Sequence, residues 1–268
     1  MSDKIKIKVF IVTYNSDLIF DNIKSLLSSD LVNYDYSINV IDNYHNNEEL
    51  FKFCLDQKVN VVQNKIRPSF STGHLSRSWN QCIINGFKDL NNPDCDILVL
   101  CQDDNLFLSE WCGRIIEFHN TYEFISMGAG DQFHSYKPEH IKKVGLWDER
   151  FCNIGYQEYD YFIRSYIYNK DKSSINDRLF RRYNQINCKI ISDDNNLIGA
   201  GRKDNRHIDS VKYHEISKNI LINKWGQESV TCDFQFFDKI SKSNICNYIY
   251  YPYFEKDIYD LKEKNYLI

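Results

Sequence analysis

Two adjacent carboxylates, Asp103 and Asp104, follow a continuous apolar run, DILVLC, at residues 96–101. Such a run reads as a buried strand, so the pair stands at the end of a rigid element. Carboxylates placed there attract a hard divalent ion, which takes oxygen ligands and can bridge diphosphate oxygens. Asp is also favoured at helix N-caps, and the pair would then simply open a helix. A second acidic pair, Glu158 and Asp160, lies in FCNIGYQEYDYFIR. Residues two apart on a helix diverge by about 200°, so both meet one ligand only from a first turn. One would then act as a base while the other orients it or caps the helix; the alternative is two exposed helical carboxylates near Arg164. His207 and His214, in GRKDNRHIDSVKYHEISKN, could complete a metal shell or meet a phosphate, or be ordinary surface or core histidines. Two further segments carry less. The DDNN run at 193–196 reads as a polar turn, and the GAG at 199–201 lacks the strand–Gly–helix setting of a phosphate loop.

The elements that must position these groups follow from periodicity. Lys6–Thr13 (KIKVFIVT) predicts a strand, and Leu18, Ile19, Ile23, Leu26 and Leu27 recur at helical spacing after Asp17, a plausible N-cap. Strands are expected at Ser37–Ile41, Val59–Gln63 and Asp96–Cys101, with helices at Asn47–Leu55 and through Leu75, Trp79, Cys82, Ile83 and Phe87. Strands alternating with helices imply right-handed βαβ units and a largely parallel sheet, whose ligands bind beyond the carboxyl ends of the strands. Every strand in this half ends on polar residues: Thr13-Tyr14-Asn15, Asp42-Asn43, Asn64, and Gln102-Asp103-Asp104-Asn105. Their convergence on one edge predicts a site. The second half is less regular. Short strands are expected at Phe124–Met127, Gln132–Tyr136 and Asn187–Ser192, and helices at Pro138–Val144, Tyr156–Tyr168 and Asp209–Lys224 with Gly226 as a C-terminal cap. The tail after Thr231 is aromatic.

With 268 residues the chain can bury a substantial core, and one α/β domain with a C-terminal extension is expected. A net charge of -4 offers no basic face, so nucleic acid is not an expected partner. Nine cysteines lack a CxxC pair or metal-ligand spacing, which suits reduced thiols in a cytoplasmic setting. The start, MSDKIKIKVF, enters a strand with no apolar run long enough for a signal peptide or membrane anchor, and a soluble protein without a transmembrane segment is expected.

Taken in order, KVFIVTYNS, VIDN, SRSWNQCIINGF, VLCQDDN, GLWDERFCNIGYQEYDYFIR and KWG resemble the GT-A fold, family-2-type inverting glycosyltransferases over roughly residues 6–226. The resemblance implies a GT-A (Rossmann-like) nucleotide-diphospho-sugar transferase domain over 1–230. Its nucleotide-binding half would cover about 1–106 and its acceptor-binding half about 107–230, followed by the aromatic extension at 231–268. By that resemblance Thr13, Tyr14 and Asn15 lie against the nucleotide, Asp42 accepts a hydrogen bond from the base, and Asn64 and Arg67 complete the pocket. QDDN is similar to the DXD signature with Gln102 at its first position. Asp104 is then the metal ligand, and Asp103 a second ligand or a ribose contact. Registered on Arg164, Gln157 and Glu158 fall on the family's Glu-Asp pair, which makes Glu158 the general base and leaves Asp160 in support. His207 takes the place of the late metal-binding histidine, with His214 a rival. The implied cofactor is Mn²⁺ or Mg²⁺, the implied donor a UDP-, GDP- or dTDP-sugar, and the implied acceptor a glycan or glycoconjugate hydroxyl. Aromatics in the extension would suit sugar stacking or a subunit interface, through which an oligomer could form. The competing readings are a sugar nucleotidyltransferase and a non-catalytic glycan-binding module. The first would need a Gly-rich loop with a basic residue after the first strand, and TYNSD supplies neither.

Overall fold

The computed structural model describes residues 4–14, 16–43, 47–64, 75–127, 132–151, 156–169, 188–190 and 210–225. Asn15, Arg67, His207, Gly226, the two segments at 193–196 and 199–201, and the C-terminal extension lie outside these. The first strand, β1 (Lys6–Thr13), pairs in parallel with β2 (Asp35–Asp42) on one side and β4 (Ile97–Gln102) on the other. The edge strand β3 (Asn60–Gln63) extends the parallel set, while β7 (Phe133–Tyr136) and β6 (Phe124–Met127) add to β4 antiparallel. The sheet order is β3-β2-β1-β4-β7-β6, a mixed α/β architecture with a mostly parallel central sheet. That is the fold class expected from strand–helix alternation.

Alternation along β1 explains the layers. Ile7, Val9 and Ile11 face one side and pack with α1 (Leu18–Leu27), α2 (Glu48–Asp56) and α4 (Trp111–His119). Phe10 and Val12 face the other side and pack with α3 (Leu75–Phe87), α5 (Pro138–Val144) and α6 (Tyr156–Asn169). Gly86 lets α3 lie close on β4, since a Cβ there would stand 2.5 Å from Leu98 Cδ1. A short ribbon joins β5 (Asn105–Phe107) to β8 (Cys188–Ile190), and α7 (Ser210–Trp225) is the last described element. Among the described residues no helix is long and apolar enough to cross a membrane.

Three local details differ from the sequence expectation. Asp17 holds the N-cap position of α1 without a side-chain capping bond; the Ser16 hydroxyl accepts from Leu18 N instead. Asp103 and Asp104 open no helix but form a turn into β5. The helix α4, which follows Glu110 in a left-handed conformation (φ 68°), is capped from a distance: Cys112 N and Gly113 N donate to the Asp30 carboxylate. Three histidines are buried where β6 and β7 meet the helices. His119 engages Tyr122 O (2.8 Å) and Ser135 Oγ (2.6 Å), His140 stacks on Phe124 with ring centroids 4.7 Å apart, and His134 stacks on Trp147.

Candidate functional site

The carboxyl ends of the four parallel strands carry a connected polar edge. Thr13, the last residue of β1, donates from Oγ1 to Asp103 Oδ2 at 2.5 Å, tying the β1 end to the Asp turn beyond β4. Tyr14 follows it, half-buried. The turn is gripped from below as well, because the Gln102 carbonyl accepts from Asn22 Nδ2 (3.1 Å) and Asn105 Nδ2 (2.9 Å). Asn105 Nδ2 also donates to Gln132 O, next to β7. Asp104 is 8% exposed and Asp103 half-buried. At the β2 end Asp42 is fully buried and accepts from Gln63 Nε2 of β3 at 3.1 Å. Asn64, just past β3, forms a two-way amide pair with Gln81 and also donates to Asn43 Oδ1 (2.8 Å); Asn43 in turn donates to Ser78 Oγ.

Ser78 and Gln81 belong to α3, and this helix organises the second half of the site. A helix turns ~100° per residue, so Ser76 and Asn80 share one stripe, while Ser78 and Gln81 share another about 150° away. The Ser78/Gln81 stripe meets the β2 and β3 ends. On the Ser76/Asn80 stripe, Ser76 Oγ donates to Gln157 Oε1 (2.9 Å) in the first turn of α6. Asn80 binds the 146–151 loop by three bonds: Nδ2 donates to Trp147 O (2.9 Å) and Glu149 Oε1 (2.7 Å), and Oδ1 accepts from Trp147 N (2.8 Å). Ser76, Ser78, Asn80 and Gln81 are all buried. The sequence expectation for this helix rested on Leu75, Trp79, Cys82, Ile83 and Phe87 and assigned these four residues no role. Their signal was the SxSxNQ spacing, which places hydrogen-bonding groups on two stripes, one on each side of the apolar face of Leu75, Trp79, Cys82 and Ile83.

Glu158 and Asp160 are 3% and 0% exposed, so neither is a solvated helical carboxylate. Glu158 lies in the first turn of α6, where the positive end of the helix dipole favours a negative charge. Asp160 is enclosed by donors: Arg164 Nε to Oδ2 at 3.0 Å, Lys224 Nζ to Oδ1 at 2.7 Å and Trp225 Nε1 to Oδ1 at 2.8 Å. Lys224 also reaches Asp148 Oδ2 at 2.8 Å, and Arg150 adds three bonds to the same carboxylate. Burial alone would raise the Asp148 pKa, but the Arg150 hydrogen bonds and the Lys224 charge hold it well below the usual carboxylate range. The network fastens the end of α7 to α6 and to the 146–151 loop. Towards the other end of α7 the exposed His214 meets the Tyr156 hydroxyl (Nε2 to OH 3.1 Å), beside the Gln157-Glu158 turn.

Among the described residues no three His, Cys, Asp or Glu side chains cluster as a protein-only metal cage. Two adjacent carboxylates nevertheless suit Mg²⁺ or Mn²⁺, which commonly take one or two protein carboxylates and complete their shell with substrate phosphates and water. The Asp103-Asp104 turn has that donor chemistry, and Thr13 fixes one of its oxygens.

No protein-family model and no curated protein matches the chain. Partial likenesses of fold exist among solved structures. Staphylococcus aureus TarS 1–349 is 11% identical, with 88% of this chain and 76% of that one covered and a TM-score of 0.49. The mannosyltransferase PcManGT from Pyrobaculum calidifontis, solved with GDP-Man and Mn²⁺, is 12% identical (60% and 53% covered, TM-score 0.44), so the chain spans about half of its length. Glucosyl-3-phosphoglycerate synthase from Mycobacterium tuberculosis, solved with Mn²⁺, UDP and glucosyl-3-phosphoglycerate, is 14% identical (66% and 69% covered, TM-score 0.44).

Proposed function

We propose that this chain is a metal-dependent, inverting glycosyltransferase that moves a sugar from a nucleotide diphosphate sugar to a hydroxyl of a glycan or glycoconjugate. The observation that carries the reading is the polar edge around α3. A carboxylate turn held by Thr13 and a set of amides lie at the strand ends, and Glu158 sits in the helix turn that α3 grips from its opposite flank. In this reading the nucleotide-binding half covers about 1–106 and the acceptor-binding half about 107–230.

Each residue then has a task. Thr13, Tyr14, Asn15, Asp42, Asn64 and Arg67 hold the nucleoside. Asp104, with Asp103, holds the divalent ion, and His207 or its rival His214 stands on the metal side; the bound ion supplies charge stabilisation to the departing diphosphate. Glu158 accepts the proton of the acceptor hydroxyl as its oxygen bonds to the anomeric carbon. The bond from that carbon to the diphosphate breaks on the opposite face, so the configuration inverts. Asp160, occupied by Arg164, Lys224 and Trp225, positions α6 rather than taking the proton.

The test is a screen of UDP-, GDP- and dTDP-sugars for hydrolysis and transfer with Mn²⁺. Turnover is expected to need Asp104, and Glu158→Gln is expected to keep donor binding while losing at least about a hundredfold in turnover. Retained turnover in Glu158→Gln would remove it as the base. Inactivity towards every donor would leave a binding module, and synthesis of a nucleotide sugar from a nucleoside triphosphate would make the protein a nucleotidyltransferase.

A further inference from the structure

The β3 end of the sheet and the helix above it form one surface that is complementary to itself. Successive residues of a strand direct their backbone groups to alternate sides. Asn64 N donates to Asp42 O at 2.8 Å, so Asn64, Val62 and Asn60 address β2, and Val61 and Gln63 turn their N–H and C=O groups outwards. Among the described strands β3 has β2 as its one neighbour. An edge of this kind is a template for a further strand.

The helix α2 lies over the same edge. Leu50 and Cys54 point down into the core that holds Ile38 and Val40 of β2, with Val61 of β3 packed against it. Phe53 points towards α1, where it meets Phe20 edge-on with ring centroids 5.1 Å apart. At ~100° per residue, Phe51 and Leu55 then fall on the flank opposite Phe53, which faces outwards past β3. They are 50% and 68% exposed and one turn apart, so they form a single apolar step. Glu48, one turn before Phe51, and Lys58, just beyond the helix, are exposed at the two ends of that step.

From this geometry we infer that β3 and α2 form the interface of a two-fold homodimer, in which β3 pairs antiparallel with its own copy through Val61 and Gln63 and the two sheets continue as one. Strands in a sheet stand about 4.8 Å apart, so a helix over β2 and β3 lies about 5 Å from the two-fold axis. The two α2 helices are then about 10 Å apart, the separation of packed helices. They run antiparallel, and the register that sets Phe51 on the second copy's Leu55 also sets Glu48 on its Lys58, because both pairs are centred on residue 53. One arrangement thus satisfies the open strand, the apolar step and the charges at its ends. It does not depend on the glycosyltransferase reading.

The experiment is sedimentation velocity of the full chain from about 1 to 100 µM, with hydrogen exchange measured over the same range. A monomer–dimer equilibrium is expected, and exchange at Val61 and Gln63 is expected to slow as the dimer forms. Phe51→Glu and Leu55→Glu replace exposed side chains and leave the fold intact, which circular dichroism checks. Each change enters a two-fold interface twice, so each is expected to weaken association at least about tenfold. Glu48→Lys alone is expected to weaken it about threefold to tenfold, and the double reversal Glu48→Lys with Lys58→Glu to restore it. A parent that stays monomeric to 100 µM overturns the inference. So do a Leu55→Glu variant that dimerises as the parent does, a dimer with unchanged exchange at Val61 and Gln63, and a double reversal no tighter than the single one.

Discussion

Replacing Lys224 by Met tests whether the buried network is what fastens α7 to the rest of the fold. The side chain is 2% exposed and its ammonium lies 2.8 Å from Asp148 and 2.7 Å from Asp160, both with fully buried carboxylates. At an effective dielectric constant of ~20, each contact is worth about 6 kcal/mol of gross Coulomb attraction. Desolvation of three charged groups, at several kcal/mol each, offsets most of it. Methionine fills a similar volume but leaves two buried carboxylates without the ammonium they share, with Arg150 and Arg164 still beside them. Breaking a buried pair in this way costs about 3–5 kcal/mol, or ~6–20 °C in melting temperature for a domain of this size. Urea titration followed by circular dichroism gives the magnitude, and hydrogen exchange gives the place: protection is expected to fall first in α7 and the first turns of α6, with β1 and β4 unaffected. Adding Asp148→Asn removes the surplus negative charge, so the double variant is expected to lose at least about 2 kcal/mol less than the sum of the two single variants. Additive losses, or a Lys224→Met variant within about 0.5 kcal/mol of the parent, would refute the electrostatic account.

Acid is expected to weaken the fold through its buried histidines. Burial pushes the His119 imidazole down to about 4, and His140 lies well below its ordinary value for the same reason, with Lys143 and Arg164 adding to the effect. A folded-state pKa below the unfolded value of ~6.5 means that stability is fully present above pH 6.5 and is lost as pH falls towards 4, about 2 kcal/mol from His119 at pH 5. Urea midpoints between pH 7.5 and 5 check this, and His119→Gln is expected to flatten the slope; a parent midpoint independent of pH over that range contradicts it. Gly86→Ala places a Cβ 2.5 Å from Leu98 Cδ1, and overpacking of about 1–3 kcal/mol is expected to outweigh a helix-propensity gain of ~1 kcal/mol. A urea midpoint higher than the parent's would show that Leu98 moves aside freely.

Strands β1, β2, β4, β6 and β7 and helices α1, α2, α3, α5 and α6 were legible because each carries its own periodicity, and the polar strand ends could be read off directly. What escaped was everything fixed by partners distant in sequence. The helix α4 starts after a left-handed Glu110 and takes its cap from Asp30, some eighty residues earlier, so its start has no local mark. Arg164, one helical turn on, is the local hint that Asp160 is paired, but its enclosure is completed by Lys224 and Trp225, more than sixty residues later, which GYQEYDYFIR does not signal. Asp42 stands at the strand end where it was expected, but that Gln63 of the neighbouring strand donates to it is set by strand register and not by any motif. Asn80 and Glu149 illustrate the limit best. Each is an unremarkable polar residue in its own segment, and only the docking of the 146–151 loop on α3 makes them a unit.

The two opposed stripes of α3 also determine which changes in chain length this protein can absorb. Because Ser76, Ser78, Asn80 and Gln81 each engage a different partner, inserting or deleting one residue between Ser76 and Gln81 would rotate one set of contacts by ~100° against the other. No side-chain substitution can repair a helix that is out of phase with itself. Length variation is therefore confined to connections such as the exposed turn around Asn91 and Asn92, while within this stretch of α3 spacing is under tighter constraint than residue identity.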